Sequence, residues 1–130
     1  MVRINLIQPE QLMDQHLIAE YNEILMLLGY VRKYPAAESI PEEYTLGKGH
    51  IKFFKNKLLY LQKRHEKIKS EMQKRRFKTD KAINLSKFDS KLINDWKPKV
   101  RDFEIIRERL KQKLDLKPNN YRFFGKRKEL

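Results

Sequence analysis

Residues that recur at alternating steps of three and four constrain this chain more than any other feature of its sequence. Six apolar residues and one histidine follow this spacing: Ile51, Phe54, Leu58, Leu61, His65, Ile68 and Met72. Side chains at these steps lie on one face of an α-helix, and lysines and arginines occupy the other faces here. The pattern predicts one continuous amphipathic helix over 51–72, about six turns long.

Two further stretches have the same periodicity, one from about Pro9 to Val31 and one from about Lys99 to Leu116. Their apolar faces consist of Leu17, Tyr21, Ile24 and Leu28 in the first stretch and of Phe103, Ile106, Leu110 and Leu114 in the second. Gly29 and Pro35 predict where the first helix ends, and Pro118 predicts the end of the other.

The segments between these helices lack any clear period. Residues 34–45 contain prolines and glutamates and are predicted to form a loop, and residues 77–97 are predicted to form a loop with at most one short helix. No stretch alternates as a strand would. The sequence therefore predicts an all-α fold, a single compact domain over residues 1–130 with three main helices around one core.

The charge is large and unevenly distributed. The chain carries a formal net charge of +13, which divides into −4 over residues 1–47 and +17 over residues 48–130. A field of this strength attracts polyanions and speeds their encounter with the protein. We interpret it as a sign of nucleic acid binding. Solubility, a lysine-rich proteome and an acidic membrane surface remain alternative interpretations.

The composition also narrows the chemistry. The chain has no cysteine, so disulfides, thiolate catalysis and cysteine-based zinc sites are excluded. No run of about eighteen apolar residues predicts a membrane span, and the N-terminus lacks the pattern of a signal peptide. We expect a cytoplasmic protein, associated with the nucleoid in a prokaryote or in a virus-infected cell.

The histidines and the acidic residues of the first helix are the side chains that could take part in metal binding or acid–base catalysis. His16, His50 and His65 are far apart in sequence and have no metal-ligand spacing, so no metal site is predicted. His65 lies on the apolar face of its helix and is predicted to be a partly buried structural residue. Glu20 and Glu23 share a helical edge with His16. From spacing alone, each glutamate is predicted to lie on a solvated helix face.

Several blocks of sequence, in order along the chain, carry a resemblance to a known family. They are Arg3-Ile4-Asn5-Leu6, Asp14-Gln15-His16-Leu17-Ile18-Ala19-Glu20-Tyr21 followed by Glu23, Val31-Arg32-Lys33, Leu46-Gly47-Lys48-Gly49-His50 with Phe53-Phe54, Arg109-Leu110 with Lys113, and Tyr121-Arg122-Phe123-Phe124-Gly125-Lys126. Together they resemble the pyrimidine dimer DNA glycosylases with abasic-site lyase activity, the phage-type endonuclease V family.

The resemblance implies a bifunctional DNA-repair enzyme that excises damaged pyrimidines, with cyclobutane dimers as the expected lesion. Its nucleophile would be the α-amine of Val2, freed by removal of Met1 and brought back onto the first helix beside Glu23. This amine would form a Schiff base at C1′, and β-elimination would then cut the strand. An α-amine suits this step because its pKa is about 7.7–8.0, against about 10.4 for lysine. Glu23 would stabilise the cationic sugar and move protons.

The resemblance also implies the partner and the residues that contact it. The partner would be double-stranded DNA with damaged bases or abasic sites, bound by a monomer that needs no metal and no cofactor. The implied DNA-binding residues are Arg3, Gln15, His16, Arg32, Lys33, Arg109, Lys113, Tyr121, Phe124 and Lys126. Tyr121 and Phe124 could instead anchor the tail to the core.

The chain departs from the family's pattern near the implied site. Val2 replaces threonine, Asn22 and Met26 replace two arginines, and Asn120 replaces tryptophan. These changes leave the preferred lesion open, and the amine of Val2 exists only if Met1 is removed. Two alternatives remain, a non-catalytic basic nucleic-acid-binding helical module and a basic adaptor that binds an acidic protein or the ribosome.

Overall fold

Helices dominate the structure, a computed structural model that describes residues 4–35, 40–46, 49–116, 122–123 and 126–127. Within these ranges there are four α-helices, α1 (Asp14–Lys33), α2 (His50–Phe54), α3 (Leu58–Lys74) and α4 (Val100–Leu116). Two 3-10 helices accompany them, at Pro9–Gln11 and Ser90–Leu92. A small antiparallel pair of strands, β1 (Arg122–Phe123) and β2 (Lys126–Arg127), lies in the tail. The predicted all-α fold is confirmed.

The prediction of one unbroken helix over 51–72 is wrong, because the chain leaves the helical path between α2 and α3. Lys57 has φ −128° and ψ 41°, and its Nζ donates a hydrogen bond of 2.8 Å to the carbonyl oxygen of Phe53. A straight helix buries one stripe of residues, whereas the break allows both Phe53 and Phe54 to be buried, at 1% and 0% exposure. The apolar residues of the pattern still face the core, so the spacing predicted burial correctly.

Among the other boundaries, the start of α1 lies five residues after the predicted one, and the remaining helix ends lie within two residues of the predicted ones. α1 begins at Asp14, after the 3-10 helix that contains Pro9, and continues through Gly29 to Lys33. α4 matches the predicted helix to within one residue. The strands β1 and β2 were not predicted, because two residues are too few to produce an alternating pattern. Among the described helices, none is both long and apolar enough to cross a membrane.

α1 and α3 form the centre of the core. The contacts between them run in opposite directions along the two helices, Asp14 to Arg75 and Glu20 to Arg64, so the helices are antiparallel. His65 is fully buried between them, and its ring stacks on Tyr21 at 4.5 Å between centroids. Burial lowers the pKa of this histidine, which keeps the ring neutral. The predicted burial of His65 is confirmed.

Part of the uneven charge of the sequence is neutralised by ion pairs inside the protein. The two ion pairs between α1 and α3 are buried, so part of the acidic first third of the chain is neutralised by arginines of the basic remainder. Arg75 also donates to the carbonyl oxygens of Leu12, Pro9 and Glu10, just before α1. These arginines fix the fold and are not available to contact a polyanion.

Candidate functional site

Residues 4–7, which precede the first helix, are held at several backbone atoms by side chains from distant parts of the chain. The Ile4 N–H donates to His50 Nε2 at 3.0 Å, and the Tyr44 hydroxyl donates to the Ile4 carbonyl oxygen at 2.8 Å. His50 Nδ1 lies 2.7 Å from the carbonyl oxygen of Thr45. Because a carbonyl only accepts, Nδ1 carries the proton and Nε2 is the acceptor, so both ring nitrogens of a neutral His50 are used.

Glu20 and Arg64 hold the next residues of the segment. The Asn5 N–H donates to Glu20 Oε1 at 3.0 Å, and Arg64 donates to both carboxylate oxygens of Glu20, at 2.6 and 3.1 Å. Arg64 Nη1 also donates to the carbonyl oxygens of Leu6 and Ile7. Leu6 has φ +63°, in the left-handed region that a residue with a Cβ seldom adopts. The surrounding hydrogen bonds keep it there.

Glu23 lies one helical turn after Glu20 and is 9% exposed, while Glu20 is fully buried. The prediction that each glutamate lies on a solvated face is therefore wrong for both. For Glu20 the reason is segment 4–7, since the Asn5 N–H of that segment donates to its carboxylate. A carboxylate removed from bulk water in this way interacts more strongly with a nearby positive charge than a solvated one does.

His16 lies on the same edge of α1, two turns before Glu23 and opposite α4. Burial and the positive charges of Lys113 and Arg109 lower the pKa of His16 from 6.5 to about 4. The ring is therefore neutral at pH 7, and it borders a groove of about 490 Å³ whose other wall is the apolar side of α4, including Leu110. The structure thus brings together three of the predicted site residues, His16, Arg109 and Lys113.

Gln15 connects α1 to the tail. Its Oε1 accepts a hydrogen bond of 2.9 Å from the backbone N–H of Arg122 in β1. The Lys126 backbone pairs with Phe123 in the two strands. The predicted residues Val2, Arg3, Tyr121 and Phe124, and the side chain of Lys126, lie outside the described part of the structure.

Two predicted DNA-binding residues lie apart from this group. Arg32 and Lys33 are exposed in the last turn of α1, which places them about 14–15 Å along the axis from Glu23. Arg32, nine residues after Glu23, also projects from the opposite side of α1, since each residue turns the helix by about 100°. The structure does not bring these two cations to Glu23.

The edge of α1 next to Glu23 carries no arginine. Asn22 and Met26 are both exposed, Met26 at 68% of its surface. The Asn22 amide donates to the Ile18 carbonyl oxygen, within the same helix. These two positions, at which the sequence departs from the family's pattern, therefore face solvent on the part of α1 next to the buried carboxylate.

A comparison with known protein families identifies the family of this chain. Residues 1–85 of the 130 match the family model that describes pyrimidine dimer DNA glycosylases. The chain belongs to the pyrimidine dimer DNA glycosylase family. This membership confirms the resemblance and supports a role as a DNA-repair glycosylase, with DNA as the substrate. The matched residues include segment 4–7 and helices α1 to α3, whereas Arg109, Lys113 and the tail lie beyond the match.

Sequence reasoning missed the residues that hold segment 4–7 of this glycosylase. Glu20 and His50 lie inside the blocks that carry the family resemblance, but nothing in the sequence indicated what they contact. No sequence pattern indicated that Tyr44 and Arg64 are buried contacts of this segment, because a tyrosine in a loop and an arginine on a basic helix are usually surface residues. Among the described residues, no group of histidines and carboxylates is arranged to hold a metal ion.

Proposed function

We propose that this chain is a bifunctional DNA glycosylase and abasic-site lyase, with the α-amine of Val2 as nucleophile and Glu23 as the assisting carboxylate. The observations that support it most are the burial of Glu23, at 9% exposure, and the hydrogen bonds that hold segment 4–7 one helical turn away, at Glu20. Ile4 is anchored near Glu20, and Val2 precedes it by only two residues. A free amine at residue 2 can therefore reach the turn of α1 that carries Glu23.

The proposed reaction proceeds in two stages. The neutral amine attacks C1′ of the damaged nucleotide, the glycosidic bond breaks, and the base leaves with a proton. The C1′–O4′ bond of the sugar then opens, O4′ takes a proton from Glu23, and an iminium ion forms between C1′ and the amine. The iminium ion acidifies the C2′ hydrogen, and removal of that hydrogen as a proton expels the 3′ phosphate as the strand is cut. Water then hydrolyses the imine and releases the enzyme. Glu23 stabilises the positive charge that develops on the sugar and transfers protons during these steps.

The lesion and the DNA contacts are part of the same proposal. Arg109 and Lys113 are the described cations best placed for phosphate contacts near the site, and such contacts orient a duplex without reading its sequence. Cyclobutane pyrimidine dimers in double-stranded DNA are the proposed lesion, bound by a monomeric cytoplasmic enzyme. A flipped or poorly stacked damaged base lowers the free energy of reaching the site.

Borohydride trapping tests the proposal. The purified protein, checked by mass for loss of Met1, is incubated with borohydride and a duplex that carries either a thymine dimer or an abasic site. We expect a covalent adduct on both duplexes, located at Val2 by peptide mapping and absent with Glu23→Gln. Trapping on the abasic duplex alone would support the lyase and contradict the dimer preference.

Lys57 provides a stringent control, because the pKa of its side-chain amine is lowered toward the range in which an amine can act as a nucleophile. Burial lowers its pKa from 10.5 to about 8. Its Nζ is bound to the Phe53 carbonyl oxygen and the Asn56 side chain, however, and caps the end of α2. Lys57→Met should therefore still form the adduct. No adduct from a protein with a verified free Val2 amine would contradict the enzyme and favour a non-catalytic DNA-binding module.

A further inference from the structure

We propose that Tyr44, His50 and the Glu20–Arg64 pair are positioning residues that set where the N-terminal amine is presented to Glu23. This inference rests on the proposed function, since it concerns the same amine. None of these side chains is proposed to touch the substrate. They act through the backbone of residues 4–7, which they bind at five points, two at Ile4 and one each at Asn5, Leu6 and Ile7.

Chain length makes the position of Ile4 decisive. Two residues of extended chain span at most about 7 Å, so fixing Ile4 confines the Val2 nitrogen to a sphere of that radius. Glu23 lies one turn beyond Glu20, about 5 Å along the axis of α1, and Glu20 holds the neighbouring Asn5 N–H. A displacement of Ile4 displaces the whole volume that the amine can reach, and misplacement of a reacting group by about one ångström can slow a reaction about a hundredfold.

The anchoring exceeds what an ordinary chain terminus receives. The first residues of most domains fray, whereas here the backbone is held by a buried ion pair, a neutral histidine and a tyrosine hydroxyl. Leu6 keeps a left-handed conformation with φ +63° within this arrangement. A strained backbone persists only where its surroundings overdetermine it, and such strain gathers at functional sites.

The two anchors of Ile4 are themselves rigid. Tyr44 is 1% exposed and packs its ring against Phe53, Phe54 and Trp96. His50, at the first position of α2, has its other nitrogen fixed by Thr45. Tyr44, Thr45 and the first residue of α2 thus form a support for Ile4 that is separate from the Glu20–Arg64 contacts to Asn5, Leu6 and Ile7.

Tyr44→Phe is the most selective test, because it removes one hydroxyl and keeps the ring. Tyr21→Phe is the matched control, since its hydroxyl also bonds to backbone, at 2.9 Å from the Lys81 nitrogen, but not to segment 4–7. For both variants and the wild type we would measure single-turnover trapping on saturating abasic duplex, the Kd for that duplex, the melting temperature and the exchange rate of the Ile4 amide.

We expect Tyr44→Phe to trap at least tenfold more slowly, with faster Ile4 exchange and with a Kd within twofold of the wild type. The Tyr21→Phe control should lose a similar amount of thermal stability and trap at the wild-type rate. His50→Gln, which retains one donor and one acceptor, should trap faster than His50→Leu. A higher trapping rate of His50→Gln than of His50→Leu separates positioning of the backbone from a general loss of stability. The comparison also tests the proposal if Tyr44→Phe does not fold.

Equal trapping by wild type and Tyr44→Phe, with faster Ile4 exchange in the variant, would overturn the positioning role and leave the proposed function intact. An equal slowing by Tyr21→Phe would also overturn it, because the effect would then follow stability alone. If the wild type with a free Val2 amine forms no adduct, the proposed function fails and the positioning role fails with it.

Discussion

Arg64 donates hydrogen bonds to both carboxylate oxygens of Glu20 in the interior of the protein, at 2.6 Å from Nε to Oε2 and 3.1 Å from Nη2 to Oε1. The same arginine binds the carbonyl oxygens of Leu6 and Ile7, and the same glutamate accepts the Asn5 N–H. One ion pair therefore joins α1, α3 and the N-terminal segment. Charged groups that sequence analysis assigned to the surface are central to the fold.

Glu20→Gln should destabilise the protein strongly. Removal of one partner of a buried ion pair leaves an uncompensated charge and costs about 3–5 kcal/mol of unfolding free energy. Urea denaturation would measure it. The control is Asp95→Asn, which breaks the exposed pair with Lys63 and should change stability by less than about 1 kcal/mol. Similar losses from the two substitutions would contradict the structural role of the buried pair.

The two glycines of the described chain should respond in opposite directions to alanine. Gly49 has φ +129°, and a Cβ there would lie 3.4 Å from Pro41 Cγ, so Gly49→Ala should cost about 1–3 kcal/mol. Gly29 lies inside α1 with no atom within 4 Å of an added Cβ, so Gly29→Ala should stabilise by roughly 0.5–1 kcal/mol. Thermal unfolding distinguishes these outcomes, and a stabilised Gly49→Ala would refute the assigned backbone conformation.

His16 should make the protein less stable in mild acid. Its pKa is about 4 in the folded protein and 6.5 as the ordinary value, so the unfolded chain binds the proton more readily between these pH values. The contribution of the neutral His16 ring to the free energy of unfolding is then fully present above pH 6.5, and it is lost as the pH falls toward 4. His16→Gln should show a smaller fall across this window in melting temperature. An unchanged pH profile would mean that His16 is not held neutral.

Arg109 and Lys113 should affect both DNA binding and His16. Replacing either with Gln should weaken duplex binding at all sequences and reduce the slope of log K against log salt by about 0.9 for a lost phosphate contact. The same change removes a positive charge that lowers the pKa of His16, so that pKa should rise. Fluorescence anisotropy and NMR titration measure the two effects. Lys87→Gln, which removes an exposed charge from the loop after α3, should leave the pKa of His16 unchanged.

Met26→Arg should strengthen DNA binding. The side chain is 68% exposed on the edge of α1 beside Glu23, so an added guanidinium would meet solvent and not the core. A new phosphate contact steepens the salt dependence of binding and raises affinity at low salt. Titration at several salt concentrations checks this, with Leu116→Arg, at the exposed end of α4, as the charge-matched control. Equal gains from both variants would indicate a general charge effect and not a site beside Glu23.

The helices and their buried faces were predictable because helical periodicity is a local property. Leu17, Ile24, Leu61 and Ile106 each follow the three-and-four spacing, and each is fully buried. The family could also be recognised from the sequence, since its blocks have a fixed order. The break between α2 and α3 could not be predicted, because the burial of Phe53 beside Trp96 depends on a contact with a distant loop.

The sequence by itself determined the apolar stripes, the all-α class and the family, all of which depend on the order of neighbouring residues. The tertiary structure alone decided that Glu20 and Glu23 are buried and that His50 and Tyr44 hold Ile4. The partners in these contacts of Glu20, His50 and Tyr44 are 15 to 46 residues apart. A glutamate on a helix edge is exposed or buried according to what covers it. The spacing of residues within α1 does not indicate that segment 4–7 packs against Glu20.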